Sequence, residues 1–60
     1  MKRRLLWNDI RLSVTEYLKR DYDFDVKDIH RGIHDFKEDV VRIAKQNSPE
    51  AAAVWLAQKL

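Results

Sequence analysis

Sixty residues make one domain at most, and a chain this short buries only about 60% of the surface its unfolded form exposes. It has no cysteine, so disulfides and thiolate metal sites are excluded as staples and association becomes the expected source of further stability. With 45% hydrophobic and 37% charged residues the chain is expected to be folded and soluble, and a net charge of +2 excludes a strongly basic protein.

The charge is unevenly placed. Residues 1–20 hold six basic and two acidic side chains, whereas Asp21, Asp23, Asp25 and Asp28 crowd the next stretch against Lys27 alone. The chain reads as a basic arm followed by an acidic elbow.

The first helix is predicted over about 4–20. Leu6, Trp7, Ile10, Val14, Tyr17 and Leu18 recur at three- and four-residue spacing and define its apolar face. Leu5 and Leu12, a heptad apart, fall nearly opposite, a stripe that an isolated three-helix domain does not need. Between the two faces runs a stripe of Arg4, Asn8, Arg11, Thr15 and Lys19 that carries no acid. Those residue types grip phosphates and read base edges, so the stripe is the candidate nucleic-acid surface. Met1-Lys2-Arg3-Arg4 before Leu5-Leu6-Trp7 has the order of a secretory leader, but Asn8 and Asp9 end the apolar run too early.

In the elbow, Tyr22 and Phe24 alternate with aspartates and are expected to tuck inward while the carboxylates stay wet. Asp21, Asp23 and Asp25 match the first, third and fifth positions of a calcium loop. Val26 then stands where the turn needs glycine and Gly32 where a bidentate glutamate belongs, so the match fails.

The second helix is predicted over about 26–46, continuous through Gly32. Val26, Ile29, Ile33, Phe36, Val40 and Ile43 keep an unbroken heptad seam across that glycine. The alternative is a helix ending at Gly32 and restarting with Asp35 as N-cap and Glu38 as its capping-box partner. His30 and His34 share one face, as in zinc-binding helices. Arg31 follows the first histidine where a zinc peptidase has glutamate, and no third ligand is evident, so metal binding is a weak reading of the pair. The third helix is predicted over about 49–60, announced by Ser48, Pro49 and Glu50. It is apolar around most of its circumference, and its run from Ala51 to Ala57 is far too short to span a membrane.

No stretch carries a phosphate loop or a nucleophile elbow, and so small an interior offers little room to desolvate a carboxylate. The expectation is therefore a single all-α, three-helix domain over 1–60 that is not an enzyme, uses no cofactor, small-molecule substrate or membrane, and lies in the cytoplasm. Its function is expected to be regulation, by binding and modulating or inhibiting a larger protein, in the manner of small phage or mobile-element proteins. The interface is assigned to Leu5, Trp7, Leu12, Ile29, Ile33, Phe36, Val40 and Trp55, with the two tryptophans as anchors and a homodimer formed through the long second helix. The alternative is a small DNA- or RNA-binding regulator using the basic face of the first helix.

Overall fold

A computed structural model describes residues 6–60, and Arg4 and Leu5 lie outside them. The described residues are all-helical, with four helices rather than three: α1 (Trp7–Tyr22), α2 (Val26–Asp35), α3 (Lys37–Gln46) and α4 (Pro49–Lys59).

The apolar face of α1 forms from Trp7 onward, with Ile10, Val14 and Leu18 fully buried, whereas Leu6, expected on the same face, is 60% exposed. The helix stops at Asp23, which takes a left-handed conformation (φ 58°, ψ 33°) and donates its amide to the Lys19 carbonyl at 3.2 Å. That is the usual helix-ending cap, here without the usual glycine. Tyr22 and Phe24 stack with ring centroids 6.0 Å apart. Phe24 is half-buried, but Tyr22 remains 43% exposed, so only one of the two aromatics tucks inward. Asp25 then caps α2, its side chain accepting a hydrogen bond from the Lys27 amide at 3.2 Å.

The predicted second helix divides at Phe36, whose backbone (φ −116°, ψ 28°) leaves helical geometry for one residue. Phe36 donates its amide to the Gly32 carbonyl and accepts from the Val40 amide, both at 2.9 Å, so it closes α2 and opens α3. A straight helix over 26–46 would be roughly 30 Å long at ~1.5 Å per residue. The 11 residues of α4 cannot cover that length, and the bend folds both halves onto the same core. The Phe36 ring meets Trp55 of α4 edge-on at 5.6 Å, which fixes the corner.

Gly32 lies inside α2 and is neither a stop nor the start of a new cap. A side-chain Cβ placed there would come within 2.6 Å of Leu60 Cδ2, so the glycine opens room for the end of α4. Ser48 caps α4 by accepting from the Ala51 amide at 3.1 Å, as its sequence announces. The short α4 packs mainly against α1 and α3, burying Ala52, Ala53 and Leu56. Small side chains at Ala44, Ala52 and Ala53 let these helices approach closely. No helix among the described residues is long and apolar enough to cross a membrane.

Candidate cationic cleft

Helix α2 runs back along α1, which brings the end of one against the start of the other. Trp7 and Arg11 stand one turn apart on α1, and His30 and His34 one turn apart on α2. Lys37, the first residue of α3, reaches across so that its Nζ lies 4.7 Å from the centre of the Trp7 ring. Together with Ile33 these side chains enclose a cleft of about 280 Å³. Its floor is apolar, made by buried Ile33 and half-buried Trp7. Its rim holds a guanidinium, an ammonium and two imidazoles, and no carboxylate lines it.

Such a cleft can hold an anionic group next to an apolar one. Arg11 offers a planar set of donors and Lys37 a compact charge. The ammonium also contacts the Trp7 face, an attraction worth roughly 0.5–1 kcal/mol at an exposed site. Neither cation has a carboxylate within ion-pair distance among the described residues, where the pairs involve Arg20, His34 and Arg42 instead.

His30 and His34 serve as cleft walls. Among the described residues no group of three histidines and carboxylates is placed to hold a metal ion. The nearest carboxylate oxygen to His34 Nδ1 is that of Asp35 at 3.5 Å, on a histidine side chain 90% exposed.

The stripe of α1 assigned to nucleic acid is divided by the fold. Asn8 and Lys19 are exposed, Arg11 turns into the cleft, and Thr15 Oγ1 is buried with no hydrogen-bond partner among the described residues. The residues assigned to a protein interface are divided as well. Ile29, Ile33 and Val40 are enclosed by the chain's own helices, while Trp7, Phe36 and Trp55 are half-buried against the core. Leu12 is 57% exposed and sits in a shallow depression beside Glu16, Lys19 and Arg20.

Lys37 was absent from the predicted sites, although a signal for it exists. His30, His34 and Lys37 step by four and three, the period of one helix face. No periodicity shows that Trp7 and Arg11 lie opposite that face. No protein-family model, curated protein or solved structure matches the chain.

Proposed function

We propose that this chain is a small non-enzymatic regulatory protein that binds a larger protein and modulates or inhibits it, in the manner of small phage or mobile-element regulators. The observation that carries this reading is Leu12, 57% exposed in the middle of α1 with no role in the core. Leu6 is 60% exposed just before the same helix. An exposed leucine on a helix offers apolar area to a partner groove. Self-association belongs to the same proposal. From Ile29 to Ile43 the heptad seam of α2 and α3 is occupied by the chain's own core, so a homodimer must use other surfaces.

A second reading, a DNA- or RNA-binding regulator, is favoured by exposed Asn8 and Lys19 and by Arg11 in the cleft, which carry the donors that grip phosphates. Capture from a lysate of the source cell, followed by rebinding of the purified partner, separates the two. Leu12→Asp should abolish the partner's rebinding, and the double variant Arg11→Glu, Lys19→Glu should keep it. Nuclease-sensitive capture, lost in the double variant and unaffected by Leu12→Asp, would establish the nucleic-acid reading instead.

A further inference from the structure

Arg11 is half-buried in the wall of the cleft, and among the described residues its guanidinium makes no hydrogen bond and no ion pair. A guanidinium has donors only, so its best partner there is an anion from outside the chain. Lys37 adds a second fixed charge, and its Nζ is held 4.7 Å from the centre of the Trp7 ring. An anion on that ammonium therefore lies beside an aromatic face. Three other hollows on the surface each contain a carboxylate: Asp28 and Asp35 in the one beside Gly32, and Glu16 in those beside Tyr17 and Leu12. The cleft differs in setting cations and imidazoles alone around an apolar floor of Trp7 and Ile33.

We propose that the cleft is a binding site for a small aromatic acid, one ring joined to a single anionic group. The anion lies on Arg11 and Lys37, the ring lies on Ile33 and Trp7, and His30 and His34 close the α2 side. The site goes beyond the partner-binding reading, which is carried by Leu12, a residue outside the cleft. It gives the chain a small-molecule input separate from the surface offered to a protein.

Size selects this class of ligand. An apolar cavity of about 150 Å³ holds a benzene ring, and the cleft, at about 280 Å³, has room for one ring and its charged group. Sites for larger ligands start at about 300 Å³. An inorganic anion would leave Trp7 and Ile33 uncovered, and a neutral ring would leave Arg11 without an acceptor. A nucleic acid spreads its charge over many phosphates, whereas the cleft offers Arg11 and Lys37 as its permanently charged side chains. A ligand this small, in a cleft open to solvent, binds with a dissociation constant on the order of 0.1–1 mM. Carboxylate and phosphate heads share this chemistry, and the test separates them.

The test is an NMR titration of the full chain at neutral pH with phenylacetate and with phenyl phosphate, read at the indole N–H signals of Trp7 and Trp55. A ring-bearing anion in the cleft moves the Trp7 signal and leaves that of Trp55, which packs on Phe36, in place. The tighter of the two ligands names the head group. Acetate, inorganic phosphate and neutral phenylacetamide, each lacking one half of the ligand, should bind at least about tenfold more weakly. Arg11→Gln with Lys37→Gln should weaken binding about tenfold. Lys27→Gln with Lys45→Gln removes the same charge from exposed positions outside the cleft and should leave affinity unchanged.

A Trp7 signal that stays in place with both ring-bearing anions at tens of millimolar overturns the proposal. So does binding that acetate, inorganic phosphate or phenylacetamide matches, or that Arg11→Gln with Lys37→Gln retains in full. If that double variant loses its helical circular dichroism, Lys37→Gln alone replaces it at an exposed position, with several-fold weakening expected and unchanged affinity counting against the site. A single-stranded RNA or a DNA duplex that moves the Trp7 signal at lower concentration than either acid, and is released by Arg11→Gln with Lys37→Gln, assigns the cleft to nucleic acid and overturns the proposal.

Discussion

Asp23 departs from what local stability favours. It holds a left-handed backbone at the C-terminal end of α1, where glycine has no steric cost and a carboxylate opposes the helix dipole. Asp23→Gly should therefore stabilise the fold by about 1 kcal/mol, read as a higher urea midpoint at low micromolar concentration. A lower midpoint would show that the aspartate makes a compensating contact within the fold. Gly32 shows the limit of reading single residues. Its cost in a helix interior is evident from sequence, but its use is not, because Leu60, which needs the space, is 28 positions away in the chain.

At the scale of helices, the elements whose signals are local were the most legible. Ile10, Val14 and Leu18 repeat every four residues and all are buried, and the Ser48-Pro49 start of α4 forms with its expected cap. The division at Phe36 was hidden because one residue out of helical geometry does not disturb the spacing around it. Ile29 and Ile33 before it and Val40 after it keep their phase and still reach one core. Helix α4 holds that core together from two sides. Leu56 is fully buried, and Leu56→Ala should cost about 2–4 kcal/mol. A domain of this size has roughly 3–9 kcal/mol in total. The variant should lose much of its helical circular dichroism at 37 °C, whereas a wild-type melting curve would mean that α4 is not the keystone of the fold.

At the scale of the whole molecule, the buried hydrophobic residues described number ten, of which Ala44, Ala52 and Ala53 are alanines. So thin an interior gains little from its own packing, and the proposed association is argued from size as well as from surface. The candidate site was legible only in pieces. Arg11 was assigned to a nucleic-acid stripe, the histidines to a weak metal pair and Trp7 to an interface. The cleft unites them because α2 doubles back along α1, a tertiary placement that no spacing within either helix encodes. Charge follows the same logic. Arg11 and Lys37 are far apart in the sequence, and only the fold brings them to one cleft.

Sedimentation equilibrium of the wild-type chain across micromolar concentrations measures the proposed self-association most directly. The predicted result is twice the 7.2 kDa chain mass, moving toward the single mass on dilution. A single-chain mass at every concentration at low salt, with helical content intact, would contradict it.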